Sequence, residues 1–284
     1  MFSDGSKDAT TPQYGELPEQ STTVATKSDS KAKISFLDVG QADCILLEFS
    51  GKTMLIDGGN REDGKNVVNY IKKSGYDYID FMVETHSHED HIGGLPTVLS
   101  EISVGQVFMP SKAARTTIYK EFISSIDKNG AKKIIPEENR VIYNDSKACV
   151  TVISKDNKTD GVDLNDTSIV IKFEYGKNSF IFTGDAGTSV EKDIMSRYSK
   201  DFLDVDVLKV GHHGSKTSSS VEWLKTLSPK YAVIMCEKGN KYGHPHKQTL
   251  NNLSKLKIET LRTDLSGTIV MTTDGSQISV KKSK

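Results

Sequence analysis

The stretch THSHEDHIGG, residues 85–94, constrains this chain more than any other, because His86, His88, Asp90 and His91 fall within six consecutive positions. Imidazoles and a carboxylate crowded in this way need partners to offset their desolvation, and a divalent cation is the simplest partner. The residues before them, YIDFMVET (78–85), form an apolar, β-branched and aromatic run that predicts a buried strand. The cluster therefore stands at the C-terminal end of a strand, on a loop that Gly93 and Gly94 let turn tightly into a helix beginning near Leu95. Across such a turn His86 and His88 point to one side while Asp90 and His91 are carried to a second position. The spacing suggests two metals rather than one.

With 284 residues, 36% of them hydrophobic, the chain can bury a sizeable core as one large domain or two small ones. A net charge of −1 gives no global basic field, so charge alone does not imply an extended nucleic-acid groove. Cys44, Cys149 and Cys236 are too few and too scattered for a disulfide framework; Cys44 and Cys149 lie in apolar runs and are expected to be buried. No apolar run approaches the roughly eighteen residues of a transmembrane helix. Residues 1–31 are rich in Ser, Thr, Gln, Asp and Lys and are expected to form a flexible polar leader. Such a leader suits an exported or cell-surface protein, and almost equally a cytoplasmic one. Residues 32–284 are expected to form the ordered domain.

Three apolar runs, KISFLDVG (33–40), ADCILLEFS (42–50) and KTMLIDGG (52–59), predict consecutive antiparallel strands. Asp57, at the end of the third, serves either as a turn and helix cap or as support for the metal histidines. Residues 64–74 have helical spacing. After the cluster come a short strand, QVFMP (106–110), and a basic helical stretch (112–128) that either steers an anionic substrate or faces solvent. Strands resume at 139, and TSIVIKFEYG (167–176) with NSFIFTGDAG (178–187) predicts a hairpin around Gly176-Lys177. Asp185 then stands at a strand end before a helix over 188–198, as a metal-bridging carboxylate or as the N-cap. The strand in DVDVLKV (204–210) runs into His212 and His213, which should point in opposite directions so that one of them reaches a metal. YAVIMC (231–236) precedes a loop carrying His244 and His246, and GTIVMTT (267–273) and SQISVKK (276–282) close the chain as strands. All seven histidines thus lie at three strand-to-loop junctions, a distribution that structural histidines would not produce.

The pattern His86-Ser87-His88-Glu89-Asp90-His91, with FLDVGQADCILLE, LIDGG, NDTSIV, FTGDA, LKVGHHGS and YGHPH in order along the chain, resembles the metallo-β-lactamase superfamily. Within it the motifs are similar to the C-terminal hydrolase domain of ComEC-type competence proteins and their stand-alone relatives, and bacterial phosphorylcholine esterases are similar in layout. The resemblance covers roughly residues 33–275. It implies an α/β fold, a four-layer αββα sandwich of two mixed sheets with helices on the outer faces, holding two divalent ions, zinc or manganese, at one edge. Matched position by position, His86 and His88 belong to the first metal, Asp90 and His91 to the second, and Asp185 to both. His213 supplies the remaining ligand of the second metal and His212 turns towards substrate, or the two exchange roles. One departure stands out: no histidine occurs between His91 and His212 to complete the first site. Asp163, Asn165 or Asp166 of DLNDTS (163–168) takes its place, giving a more oxygen-rich site for which manganese is a candidate.

The resemblance implies a metal-dependent phosphodiesterase, nuclease-like or phosphorylcholine-esterase-like, in which a metal-activated hydroxide attacks the ester. Asp185 shares the metals, Asp90 orients the hydroxide, and His212 or His244 contacts a phosphoryl oxygen or the leaving group. The partner is then a small-molecule or nucleic-acid phosphodiester. The alternatives are a lactone, thioester or β-lactam hydrolase, disfavoured by the missing histidine and by the lack of a cysteine ligand near His212, and a non-catalytic binding module, disfavoured by the intact motif.

Overall fold

Two sheets account for the strands of the computed structural model, which describes residues 30–157 and 161–284. Nearly all of the predicted leader, and with it the question of export, lies outside the described residues. The first sheet begins with β1 (Ala32–Phe36), β2 (Ile45–Phe49), β3 (Lys52–Ile56), β4 (Tyr78–Val83), β5 (Ser103–Phe108) and β6 (Lys132–Ile134). The second holds β7 (Val141–Asn144), β8 (Ala148–Val152), β9 (Ile171–Tyr175), β10 (Asn178–Phe182), β11 (Val207–Lys209), β12 (Tyr231–Ile234) and β13 (Glu259–Arg262). The chain then returns to the first sheet as β14 (Ile269–Thr273) and β15 (Ile278–Lys282). The orders are β15-β14-β1-β2-β3-β4-β5-β6 and β13-β12-β11-β10-β9-β8-β7.

Side-chain alternation explains why the sheets face each other. In β10, Phe180 and Phe182 join the core shared by both sheets, while Ile181 belongs to a second apolar cluster with the helical residues Ile194, Trp223 and Leu253. Phe36 meets Phe182 and Phe49 meets Phe173 across the interface, with ring centroids 6.1 and 5.0 Å apart. Helices Thr188–Arg197, Val221–Leu227 and Lys247–Lys255 cover the outside of the second sheet. Helices Gly64–Lys73, Leu95–Glu101 and Thr117–Asn129 cover the first, burying Val67, Val98 and Phe122. The result is the four-layer αββα sandwich that the motifs imply, with mixed sheets: β1, β2 and β3 pair antiparallel, as their apolar runs predict, and β3 through β6 run parallel.

The hairpin at Gly176-Lys177 and the helix at Leu95 are also where the sequence places them. β6 and β13 are not anticipated; they are short strands at sheet edges whose polar residues give no apolar alternation. Cys44 is buried, but Cys149 is only half-buried. No helix among the described residues is long and apolar enough to cross a membrane.

The parallel halves position the site. β10, β11, β12 and β13 run parallel, as do β3 to β6, so their C-terminal ends gather at common edges and send out the loops that carry the histidines.

Candidate metal centre

β4 ends at Val83, and a short helix, Glu89–Ile92, carries Asp90 and His91. Gly93 and Gly94 have ordinary right-handed helical torsions, so the turn does not need their freedom; it needs their lack of a side chain. A Cβ on Gly94 would stand 2.1 Å from the Gly58 carbonyl oxygen, and one on Gly93 2.4 Å from the Arg61 nitrogen. That closeness lets Gly58 N–H donate to the His91 carbonyl (2.7 Å) and Gly94 N–H to the Gly59 carbonyl (3.1 Å). The loop after β3 is thereby stitched to the histidine loop. Asp57, held at φ 57°, uses Oδ1 to accept from Thr85 N–H (2.8 Å) and Oδ2 to accept from the Thr85 hydroxyl (2.7 Å) and from His91 Nδ1 (2.8 Å). Asp57 therefore supports a histidine and caps no helix, and Nε2 of His91 is left facing the centre.

What Nε2 faces is a carboxylate. Ligand atoms of Asp90, His91, Asp185 and His213 all lie within 4.8 Å of one another. His91 Nε2 and Asp185 Oδ1 are 3.4 Å apart, and both are buried without a hydrogen-bond partner among the described residues. Nδ1 of His213 donates to the Met235 carbonyl (2.9 Å), which directs its Nε2 towards Asp90 Oδ2 (3.2 Å) and Asp185 Oδ2 (3.6 Å). Two imidazole nitrogens and two carboxylates, with orphaned buried atoms aimed at one point, suit a divalent cation. Burial by itself would raise the Asp185 carboxyl, but the charges of His213 and His91 outweigh it and hold the group well below the usual carboxylate range. Conversely, burial opposes protonation of His213, yet Asp185 and Asp43 push it up to about 10. A cation bound here would displace the His213 proton, since imidazole ligates in its neutral state, and would offset the same carboxylates.

The first position is more sparsely furnished. His86 Nε2 lies 3.0 Å from His88 Nδ1 and 4.0 Å from Asp185 Oδ2. Burial, reinforced by the charge of His91, keeps His86 neutral well below its ordinary value, the state in which imidazole ligates. Of the three candidates for the missing ligand, two are committed elsewhere. Asp163 Oδ1 accepts from Asn165 N–H (3.0 Å), while Asp166 accepts from Gly187 N–H (3.1 Å) and the Ser189 hydroxyl (2.6 Å). Asn165 lines the cleft beside His88, and its Oδ1 is buried without a partner among the described residues. Asp166 also replaces Asp185 as the acceptor at the start of helix Thr188–Arg197, whose N-cap residue is Gly187. Asp185 is therefore not the cap.

His212 and His213 lie beyond β11 in a tight turn, both in the left-handed region at φ 48° and 52°. Their divergence comes from that turn and not from strand alternation. His213 points inward; His212 is half-buried, 3.7 Å from Asp185 Oδ2, and lines an open cleft of about 290 Å³ above the cluster. His244 lines the same cleft, its ring 5.4 Å from that of His212. Glu237 N–H donates to Oε1 of Gln41 (3.2 Å), which turns the Gln41 amide nitrogen onto His244 Nδ1 (3.3 Å). Burial and the neighbouring charges of His212 and His213 push His244 down to about 4, so it stays neutral with its proton on Nε2. His246 is used otherwise: its Nδ1 accepts from Lys216 N–H (3.0 Å).

The sequence reading misses Asp43 and Lys209. Lys209 is fully buried, ion-paired to Asp43 Oδ2 and donating to the Gly184 carbonyl (3.2 Å). Asp43 Oδ1 approaches His213 Nδ1 to 3.4 Å. Burial alone would raise Asp43, but Lys209 and then His213 lower it. One signal was available: in β11 Val207 faces the shared core and Leu208 the helices, so alternation sends Lys209 inward between the sheets.

A family profile described as "Metallo-beta-lactamase superfamily" matches residues 37–237. The chain belongs to the metallo-β-lactamase superfamily. Metallo-β-lactamase folds typically hold two divalent metals, and the superfamily is one of metal-dependent hydrolases. Its relatives include ComEC-type competence proteins: it is 29% identical over 265 residues to "ComE operon protein 3" of Bacillus subtilis, covering 84% of this chain and 33% of that protein. The chain spans about a third of the length of such relatives. A stretch of 121 residues is 27% identical to "Endoribonuclease ysh-1" of Neurospora crassa, covering 40% of this chain and 14% of that one. Among solved structures, "CmlA beta-hydroxylase E377D mutant" superposes with a TM-score of 0.55 at 13% identity over 87% of this metallo-β-lactamase-fold chain and 54% of its own. A hydroxylase on this fold shows that layers alone do not fix the chemistry.

Proposed function

We propose that this chain is a metal-dependent phosphodiesterase acting on a nucleic-acid or small-molecule phosphodiester. The observation that supports it most is the convergence of Asp90, His91, Asp185 and His213, with orphaned atoms on His91 and Asp185, on the floor of an open cleft. Asp90, His91, Asp185 and His213 would hold one divalent ion, and His86, His88, Asp185 and the Asn165 amide oxygen the other. When bound, such a pair supplies a nucleophile from water at neutral pH and positive charge for the ester oxygens.

The chain's own groups do the rest. Asp57 fixes His91 and the Met235 carbonyl fixes His213, so both present Nε2 without rearrangement. Asp90, half-buried at the cleft floor and held below the usual carboxylate range by His91 and His213 against the effect of burial, is an acceptor that can orient an attacking water. His244, neutral with Nε2–H free of Gln41, donates to a phosphoryl oxygen or to the departing alkoxide, and His212 borders the same space. The endoribonuclease name of one partial relative agrees with this reading.

The test is chelation followed by return of zinc or manganese, with turnover of an activated phosphodiester. Asp185→Asn should lower the rate beyond the roughly 10–100-fold seen when only a supporting partner is lost. Failure of both metals to restore diester hydrolysis, or faster turnover of a lactone or nitrocefin, would overturn the proposal.

A further inference from the structure

Tyr242 is not accounted for by the metal chemistry. It is 55% exposed, yet it lines the cleft, and its ring lies nearly parallel to that of His244, with centroids 5.7 Å apart and planes at 24°. It sits in a loop that Asn240 ties together. Asn240 Oδ1 accepts from Tyr242 N–H (3.1 Å) and His244 N–H (3.0 Å), while its Nδ2 donates to the carbonyls of Glu237 (2.8 Å) and His244 (2.5 Å). One asparagine side chain thus fixes the main chain from which both rings project. Lys241 Nζ lies 5.1 Å from the centroid of the same ring. Lys216, Lys238 and Lys247 are exposed around this loop and form no ion pair among the described residues.

We infer that Tyr242 is a stacking platform for a nucleobase, and that the cleft takes single-stranded nucleic acid with one base on this ring and the adjoining phosphate over the cluster. This rests on the phosphodiesterase reading and decides between its two branches. A choline headgroup is itself a cation, and Lys241 and its neighbours put positive charge around the ring it would have to approach. A polyanionic strand gains from the same lysine and from its three neighbours. A single strand suits the site because bases inside a duplex have both faces stacked on their neighbours.

The experiment measures KM and fluorescence-anisotropy affinity for a labelled oligothymidylate of about ten nucleotides and for an abasic oligomer of equal length, with p-nitrophenylphosphorylcholine as a third substrate. In the wild type the base-bearing oligomer should bind about tenfold tighter than the abasic one, and Tyr242→Ala should bring that ratio close to one. Tyr242→Phe and Tyr242→Trp, which keep a stacking face, should preserve it. An unchanged ratio in Tyr242→Ala, an equal loss on both oligomers, or a loss confined to the phosphorylcholine ester would each overturn the inference. If the metal-loaded wild type cleaves none of the three, the phosphodiesterase reading falls, while the anisotropy ratio still decides the role of Tyr242.

Discussion

Beneath the cleft, buried charged side chains are paired with one another; at its mouth, neutral polar groups and the turns of the loops place the side chains. The floor is a closed set in which Lys209 pairs with Asp43, Asp57 with His91, and Asp185 sits among His86, His91 and His213. All of these are buried, so removing Lys209, Asp43, Asp57 or Asp185 leaves a charge that water cannot reach. The mouth is built differently: Asn240 holds the main chain at Tyr242 and His244, the Gln41 side chain, anchored by Glu237 N–H, holds His244 Nδ1, and the tight turn after β11 places His212. The floor's interactions are directed inward and the mouth's are left over for a ligand. Stability should therefore be concentrated in the floor and selectivity in the mouth.

The sharpest way to break this division is Lys209→Met. It should destabilise the fold by about 3–5 kcal/mol in urea unfolding, because Asp43 loses its buried cation, and adding Asp43→Asn should return a large part of the loss. Tyr242→Ala should change stability by less than about 0.5 kcal/mol in the same assay. Equal effects would abolish the distinction.

The next test uses pH. Burial, with the charge of Asp57 adding to it and the Ser87 hydroxyl opposing it, pushes the Glu84 carboxyl up to about 8 from an ordinary 4.5. Between those values the folded protein keeps a proton that the unfolded chain releases. This contribution to stability is complete below about 4.5 and declines by about 1.4 kcal/mol for each pH unit on the way to 8. Glu84→Gln should remove the decline, so the variant gains on the wild type as pH rises from 5 to 8. A difference that does not vary with pH would show that the fold does not hold Glu84 protonated.

A smaller effect is expected from Asp57→Asn, which keeps the shape but weakens the hold on His91 Nδ1. Metal affinity measured by competition with a chelator should fall about 10–100-fold. Smallest of all, Asn165→Ala should weaken only the looser of two calorimetric binding events, by about fivefold, and Asn165→His should strengthen it. If both events moved together, Asn165 would not belong to one metal position.

How much of this could be read from the sequence follows the same boundary. Ligand-type residues at strand ends were legible because apolar runs such as YIDFMV and SFIF announce the strands and the histidines interrupt them. Asp185 could be placed but its competing use as a cap could not be dismissed, since the actual acceptor, Asp166, arrives from a loop some twenty residues earlier. Lys209 and Asp43 are 166 positions apart in sequence, and nothing local announces an ion pair between them. β6 and β13 have no apolar alternation and exist through pairing with β5 and β12. The divergence of His212 and His213 was expected from alternation, whereas a left-handed turn produces it.

The backbone bonds between Gly58 and His91 and between Gly94 and Gly59 have a consequence for how a cation would be taken up. Because the two loops are joined main chain to main chain, with no room for even a methyl group between them, the ligands do not wait for a cation to organise them. Loading a cation would then carry little ordering entropy. Such a centre would discriminate by fit, accepting cations whose preferred geometry matches a donor set already in place.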